Sequence, residues 1–389
     1  MEARRSFLRR LSGASLSWLA LAQGGCGRQT GPGAPATPDL IDPGRIPTTP
    51  LDQPIAVPKV NGAINVQPLR CLGCAPTDPT LDPALVALQL EAVYTLGFDG
   101  IRVTAPLSDR GSLLAAIPYV RAARALGIDA VVLLADFTGL TLAHALADPG
   151  RRRAILELYA TLFAAQQAPL APGLGGLGPG ETGRVAFQVL NEPVGFVGLP
   201  PDTYVREVLA PCFAELHDID SRIIVVAAAE SGNLSGPARV RAMLEAGLER
   251  ACDRIAYHVY TRDVIGELPE HVRRVVWVTE SGIEGGARHL PWVREVFPEI
   301  VARLPDVTRV FYFDLFDPKP DGFRVLDIRQ QPAGASVVAE SGALYDYWSG
   351  RVLEAAGGRP LLSFRQLVPE VRVYFPTATD VRAIEAAPF

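Results

Sequence analysis

From Val60 to about Gly350 the chain alternates short apolar runs with segments of helix length, and the alternation occurs eight times. The apolar runs are predicted strands with no polar face, as is typical of a parallel sheet covered by helices. Eight β-α units in series predict a closed (β/α)8 TIM barrel over residues 59–352 rather than an open doubly wound sheet. The predicted strands are Ala63–Val66, Gly100–Thr104, Ala130–Leu134, Val185–Leu190, Ile223–Ala228, Ile255–Tyr260, Val275–Thr279 and Val310–Leu315.

The segments between the strands carry the end signals of helices. Asp82–Leu96, for example, has Pro83 in its first turn and Gly97 just past its end, which is the usual asymmetry of helix ends. No G-x-G-x-x-G sequence follows the first strand, so a dinucleotide-binding fold is disfavoured. The other predicted helices are Ser112–Leu126, Pro149–Gln166, Pro201–His217, Pro237–Arg250, Leu290–Leu304 and Glu340–Trp348.

Composition excludes several classes of protein. With 48% hydrophobic and 20% charged residues, the chain is not intrinsically disordered. It has no uninterrupted apolar stretch of about 18 residues, so it is not a multi-span membrane protein. A net charge of −5 gives no basic footprint, and no nucleic acid is expected as a partner.

The first 26 residues resemble an export signal of the twin-arginine type. Arg4-Arg5 precedes Ser6-Phe7-Leu8, and the weakly apolar stretch 11–22 serves as the hydrophobic region. The alternative is an amphipathic helix that starts a domain, but Gly- and Pro-rich sequence follows. The protein is therefore expected to be exported, and to be periplasmic, extracellular or anchored to a membrane as a lipoprotein.

Two processing outcomes remain open after this signal. Ala20-Leu21-Ala22 fits an A-x-A cleavage site, whereas Gly24-Gly25-Cys26 resembles the end of a lipobox, with lipidation at Cys26. Residues 27–58 are rich in Pro, Gly and Thr and too poor in large apolar residues to offset their ordering entropy, which predicts a tether.

Two glutamates stand at strand ends that face each other in a closed barrel. The fourth strand ends in Asn191-Glu192-Pro193, and the seventh in Thr279-Glu280-Ser281. Two carboxylates that flank one bond suit glycoside hydrolysis, where one neutral acid and one ionised nucleophile or base are needed. Taken singly, Glu192 could belong to a strand-to-helix turn and Glu280 to a salt bridge or a helix cap.

These strand ends resemble those of the clan A glycoside hydrolases, a retaining superfamily built on the (β/α)8 barrel, over about three quarters of the chain. The resemblance implies that Glu192 is the acid/base and Glu280 the nucleophile. It extends to His258-Val259-Tyr260 at the sixth strand and to Arg102 in the second. It implies that Tyr260 and Arg102 support Glu280, and that Asn191 holds the sugar 2-hydroxyl.

The eighth strand departs from the clan pattern. The clan usually has a tryptophan there as a floor for the sugar, whereas this strand has none, and Phe313 and Phe316 are the candidate replacements. Asp136 after the third strand and Glu230 after the fifth are candidate substrate contacts, the alternative being a solvated barrel rim. Glu284, four residues past Glu280, is a rival nucleophile.

The sequence thus predicts an exported retaining glycoside hydrolase that acts on an oligo- or polysaccharide, with no cofactor and no metal. Two alternatives remain: a non-catalytic carbohydrate-binding barrel and a transglycosylase with the same residues. Residues 353–389 form an appendage in which Phe364–Phe375 could include a strand or two.

The five cysteines give a separate set of expectations. Cys71 and Cys74 are expected to form a local disulfide if the protein is exported. Cys212 and Cys252 are expected to be small buried residues, with a bridge between them left open.

Overall fold

The computed structural model describes residues 53–68, 81–135, 140–164, 183–269, 272–304, 306–316, 322–330 and 337–387. Eight parallel strands close into a barrel in chain order, which confirms the predicted (β/α)8 architecture. The strands are β1 Ala63–Val66, β2 Gly100–Thr104, β3 Asp129–Leu134, β4 Val185–Val189, β5 Ile224–Ala227, β6 Arg254–Val259, β7 Val275–Ser281 and β8 Val307–Tyr312.

Helices follow every strand except β6, after which the described residues form only a 3-10 turn, Arg262–Val264. Three of the outer helical segments contain a π-helical turn. Tyr204–Leu209 and Trp292–Val296 each lie between two α-helices, and Ala160–Ala164 follows α4. The helices of the barrel are α1 Pro83–Thr95, α2 Arg110–Ala125, α3 Leu140–Ala147, α4 Pro149–Tyr159, α5 Pro201–Thr203, α6 Ala210–Ile219, α7 Gly236–Glu245, α8 Gly286–Pro291, α9 Phe297–Arg303 and α10 Ala343–Ala356.

Strand β8 begins three residues earlier than the apolar run Val310–Leu315 predicts. Its first residues are held by the base of the barrel: Arg309 lies 3.3 Å from the Asp99 carboxylate and 3.0 Å from that of Asp129. The Arg309 guanidinium also lies 5.1 Å from the centre of the Trp277 ring. These ion pairs therefore stabilise the polar first residues of β8, which hydropathy alone does not indicate as part of a strand.

Between β8 and α10 lies a two-stranded antiparallel sheet that the sequence analysis did not predict. Its strands are β9 Leu326–Gln330 and β10 Val337–Ser341. The helix predicted from Glu340 consequently begins later, at Ala343, because Glu340 and Ser341 pair with β9.

Inside the barrel an apolar layer lies beneath a polar one. On four strands the residue two positions further along is polar and buried. These residues are Asn65 on β1, Arg102 on β2, Gln188 on β4 and His258 on β6, which follow Ala63, Gly100, Ala186 and Ala256. Buried polar groups are costly unless they are hydrogen-bonded, so this upper layer has to form a connected network. The apolar layer consists of Ala63, Val131, Ala186, Val226, Ala229, Ala256, Trp277 and Phe311.

The appendage is helical, and the expectation of strands in Phe364–Phe375 is wrong. The segment forms α11, Phe364–Leu367, and a 3-10 turn, Val371–Tyr374, before α12, Ala378–Ala386. Capping boxes at Ser363 and Thr377 start the two α-helices. The ring of Phe364 packs 6.5 Å from that of Tyr94 on α1.

The segment before β1 is part of the fold from residue 53 onward, including six residues that composition assigns to the tether. Ile55 bridges Leu361, and the Val57 amide donates to the Tyr94 hydroxyl at 3.1 Å. Gly97 has φ +64°, and a Cβ there would lie 2.4 Å from the Pro58 carbonyl oxygen, so glycine is required. The chain therefore enters the barrel at the end where the strands begin.

Cys212 and Cys252 are buried and free, which confirms the interpretation of them as small buried residues. Cys71 and Cys74 lie outside the described residues. Within the described part of the chain, no helix is both long enough and apolar enough to span a bilayer.

A buried ion pair fastens the appendage to the barrel. Both Arg121 η-nitrogens, on α2, donate to the Asp380 carboxylate of α12, at 3.1 and 2.7 Å. We expect Asp380→Asn to lower the free energy of unfolding by about 3–5 kcal/mol, because it leaves the Arg121 charge buried without its partner. Urea denaturation measures the loss.

The matched control is Asp218→Asn, which breaks an exposed pair with Arg153. Solvent screens an exposed pair and leaves it little effect on stability, so this variant should unfold nearly like the wild type. Equal losses in the two variants would contradict a special contribution from the Arg121–Asp380 pair.

Candidate active site

Glu280 lies at the centre of the polar layer. On β7 it stands beside His258 of β6, where the register of the two strands shifts by one residue. Its Oε1 accepts a hydrogen bond from Arg102 Nη1 at 2.8 Å, and its Oε2 accepts one from the Tyr260 hydroxyl at 2.6 Å. His258 Nε2 lies 3.6 Å from Oε1. Three side chains therefore converge on one carboxylate: one from β2, one from β6 and one from the residue just after β6.

These contacts keep Glu280 ionised. Burial by itself raises the pKa of Glu280, but the neighbouring His258 and Arg102 and the hydrogen bonds from Tyr260 and Arg102 outweigh it, so the pKa is lowered from its ordinary value. Burial and the adjacent Glu280 charge raise the pKa of Tyr260 well above its usual value. The phenol therefore keeps its proton and remains the donor.

Glu192 approaches the same centre from the opposite side of the barrel. It follows β4 in a turn where Leu190 and Glu192 have positive φ values of 68° and 45°. Its Oε1 lies 3.2 Å from His258 Nδ1. The Glu192 side chain is 22% exposed and that of Glu280 only 9%, so Glu192 is the more accessible carboxylate.

The two carboxylates are close together. One oxygen of Glu192, one oxygen of Glu280 and a ring nitrogen of His258 lie within 4.8 Å of one another. A histidine and two carboxylates are chemically capable of ligating a cation. However, Arg102 and Tyr260 already hydrogen-bond to the two oxygens of Glu280, and a metal would have to displace at least one of them.

Glu230 does not lie in the open cleft that the sequence analysis suggested. Its carboxylate is fully buried and accepts hydrogen bonds from the backbone amides of Val194 and Gly195, at 2.7 and 2.9 Å. Arg239 lies 3.6 Å away. Burial raises the pKa of Glu230, while the two amides and Arg239 lower it in part. Glu230 thus fixes the loop that carries Glu192.

Asn191 lies within the site, next to Arg102. Its Oδ1 accepts a hydrogen bond from Arg102 Nη2 at 2.9 Å. Because arginine only donates, this contact fixes the amide so that Nδ2 is the group free to donate elsewhere. The arrangement is compatible with a hydroxyl acceptor on a bound sugar.

The sequence analysis missed two site residues, Asn65 and Gln188. Their side-chain oxygens accept from Arg102 Nη1 and Nε, each at 2.8 Å. A signal was present, because each is a single polar residue in a strand that is otherwise apolar, and such a residue has to find a partner inside the barrel.

Aromatic rings occupy the end of β8. Phe313 is partly buried, with its ring 6.2 Å from that of Tyr260, whereas Phe316 is buried and faces the core. Phe323, which sequence reasoning did not single out, lies 5.4 Å from Phe313 and 5.6 Å from Tyr260. Phe313 and Phe323 therefore pack around Tyr260, the residue whose hydroxyl donates to Glu280.

The remaining sequence candidates are Asp136 and Glu284. Asp136 lies outside the described residues. Glu284, the rival nucleophile, is exposed on the loop after β7, in contrast to the buried Glu280.

Comparison with known proteins gives matches in structure only. No protein-family model matches the chain, and no curated protein matches it in sequence. A family 39 glycoside hydrolase from Bacteroides cellulosilyticus WH2 is similar over 79% of this chain and 64% of its own, at 13% identity and a TM-score of 0.46. This chain therefore spans less than two thirds of that protein.

Two further structures are similar to the same degree. A family 51 α-L-arabinofuranosidase from Bifidobacterium longum aligns over 77% of this chain and 74% of its own, at 14% identity and a TM-score of 0.48. The catalytic domain of a family 30 xylanase from Talaromyces cellulolyticus aligns over 79% and 77%, at 11% identity and a TM-score of 0.49. Families 39, 51 and 30 belong to clan A, the group whose strand ends this sequence resembles.

The contact between Tyr260 and Glu280 makes a measurable prediction. Removing the hydroxyl in Tyr260→Phe costs a charged hydrogen bond of about 1.5–3 kcal/mol, and about 1.4 kcal/mol corresponds to one pKa unit. We therefore expect the titration of Glu280 to move to higher pH by about one to two units. NMR of ¹³C-labelled glutamate carboxyls measures it, with Glu280→Gln identifying the signal.

Tyr257→Phe is the matched control, because that hydroxyl donates to the Val264 carbonyl, away from the carboxylates. Its Glu280 signal should titrate like the wild type. An unchanged titration in Tyr260→Phe would show that the hydroxyl does not stabilise the ionised carboxylate.

Proposed function

We propose that this protein is a retaining glycoside hydrolase of the clan A type that acts on an oligo- or polysaccharide. The observation that carries the proposal is the pair Glu192 and Glu280, with carboxylate oxygens within 4.8 Å of each other at the ends of opposite strands. Retaining enzymes place their two carboxyl groups about 5–5.5 Å apart, whereas inverting enzymes need about 6.5–9.5 Å to admit a water molecule. The short separation favours double displacement.

The unequal surroundings of the two carboxylates support their assignment. Glu280 is buried, receives hydrogen bonds from Arg102 and Tyr260 and has a lowered pKa, which suits a nucleophile that must be ionised. Among the described residues, no arginine lies within salt-bridge distance of Glu192, and its side chain is open enough to exchange protons with solvent. It suits the group that changes protonation state during the reaction.

In the first step, Glu280 attacks the anomeric carbon while the Glu192 carboxylic acid gives its proton to the glycosidic oxygen. The bond from carbon to the leaving oxygen breaks, and an ester bond between the sugar and Glu280 forms. Asn191 is placed to donate from Nδ2 to a sugar hydroxyl during this step.

In the second step, the Glu192 carboxylate takes a proton from water, whose oxygen attacks the same carbon. The ester bond breaks, Glu280 leaves as a carboxylate, and Glu192 is again protonated. Two inversions at one carbon leave its configuration unchanged.

A mechanism-based trap tests the proposal. A panel of activated 2-deoxy-2-fluoro glycosides should label the protein once, and peptide mass spectrometry should place the sugar on Glu280. Glu192→Gln should lower kcat/KM by about 10²–10⁴-fold on glycosides with poor leaving groups, because proton transfer to the leaving oxygen is lost.

Glu284→Gln is the control, since Glu284 is exposed on the loop four residues past Glu280, and it should label and turn over like the wild type. Release of a product with inverted configuration would refute double displacement. Binding of glycans without turnover, with no labelling by any of the sugars, would favour a carbohydrate-binding barrel instead.

We further propose that the barrel is exported and, if Cys26 is lipidated, attached to a membrane. Arg4 and Arg5 ahead of an apolar stretch, and Gly24-Gly25-Cys26 after it, support this proposal. In a bacterial host with both pathways, replacing Arg4 and Arg5 by lysine should leave the full-length precursor in the cytoplasm.

Cys26→Ser distinguishes the two processing outcomes of the export proposal. Loss of radiolabelled palmitate from the protein, with export retained, is expected for a lipoprotein, and no change is expected for cleavage after Ala22. Export of the double lysine variant at the wild-type level would contradict the twin-arginine signal.

A further inference from the structure

Arg102 is surrounded by neutral acceptors as well as by Glu280. It is only 3% exposed. Nε donates to Gln188, Nη1 to Asn65 and Glu280, and Nη2 to Asn191. Each of its three nitrogens therefore has an acceptor at 2.8–2.9 Å, and of the four acceptors only Glu280 carries a charge.

This arrangement restricts where the arginine charge acts. An unrestrained guanidinium tends to pair with a carboxylate through two parallel N–H bonds. Here the amides of Gln188 and Asn191 occupy Nε and Nη2, so Glu280 receives a single N–H. Glu192 receives none, and its partner is His258.

Gln188 is the residue that links the arginine to the turn after β4. Its Oε1 faces Arg102 Nε, and since arginine has no acceptor, the orientation of this amide is determined. Its Nε2 then faces the Leu190 carbonyl at 3.4 Å and Asn191 Oδ1 at 3.5 Å. One fully buried side chain thus contacts both the support of Glu280 and the turn that carries Glu192.

We propose that Gln188 is a positioning residue that directs the charge of Arg102 to Glu280 alone and so supports the ionised form of Glu280. The inference rests on the proposed function for its catalytic meaning. The neutral amide of Gln188 leaves Glu280 as the one charged acceptor of Arg102 among its four acceptors.

The groups that set the ionisation of Glu280 come from several strands. Arg102 faces it from β2, Glu192 from the end of β4, and His258 and Tyr260 from β6 and its end. Gln188 contacts Arg102, one of these groups, and lies next to the turn that carries Glu192. A change of charge at Gln188 should therefore act on both carboxylates.

Gln188→Glu tests the proposal with almost no change of shape. The new carboxylate would attract Arg102 Nε and add negative charge near Glu280. We expect the Glu280 signal in ¹³C carboxyl NMR to titrate at higher pH by about one unit or more. The acidic limb of kcat/KM should move in the same direction, with KM little changed.

Gln89→Glu is the matched control. Gln89 is equally buried, on α1, where its Oε1 accepts from the Tyr119 hydroxyl and its Nε2 donates to the Gln67 carbonyl. It places the same extra carboxylate in the interior away from the site. The titration of Glu280 should stay at its wild-type position there, even if the stability of the protein falls.

A second variant covers the case in which Gln188→Glu does not fold. Gln188→Met keeps the volume and removes the acceptor, which frees Arg102 to turn. We expect its Glu280 titration to move away from the wild-type position, because the charge of Arg102 is no longer held in one orientation. A wild-type titration in whichever folded variant is measured would overturn the proposal.

The NMR titration needs no turnover, so it separates this inference from the proposed function. A shifted titration in a protein that cleaves no glycoside would refute the hydrolase and leave the positioning of Arg102 standing. Labelling of Glu280 by a fluorinated sugar together with an unshifted titration would refute the positioning alone.

Discussion

The ion pair between Arg102 and Glu280 is the interaction on which the interior of this barrel depends. Taking two charges out of water costs several kcal/mol per ion, and their mutual attraction offsets this only when the remaining donors and acceptors are satisfied. The satisfying groups are contributed by β1, β4 with its end, and the end of β6: Asn65, Gln188, Asn191 and Tyr260. The pair is therefore stable only once the barrel has closed, which makes closure and assembly of the site one event.

Much of the architecture could be predicted because it depends on chain order. Eight apolar runs separated by helix-length segments leave few topologies, and in a closed parallel barrel the end of each strand reaches the same rim. That is why Glu192 and Glu280, in different parts of the sequence, could be placed together. Arg102 and Tyr260 followed from the same reasoning combined with the motif resemblance.

The remaining features depend on side-chain direction and on contacts distant in sequence. The sequence indicated Glu230 as a residue of the cleft or the barrel rim, yet its side chain is buried and accepts from two backbone amides. The conformation of the loop after β4 determines this direction, because it places those amides beside the carboxylate. Phe323 reaches Phe313 only through the path of the chain after β8. The short helices of the appendage carry too few residues to form by themselves, and they are stabilised by α1 and α2 instead.

The entry of the chain gives the molecule a direction. Residues 53–60 lie against the end of α1 and the turn at Gly97, at the end of the barrel where the strands begin. Glu192 and Glu280 lie at the other end, where the strands finish. Whatever is joined ahead of residue 53, whether a lipid, a surface or a fused carrier, is attached to the back of the barrel. That end lies opposite the strand ends that carry Glu192 and Glu280.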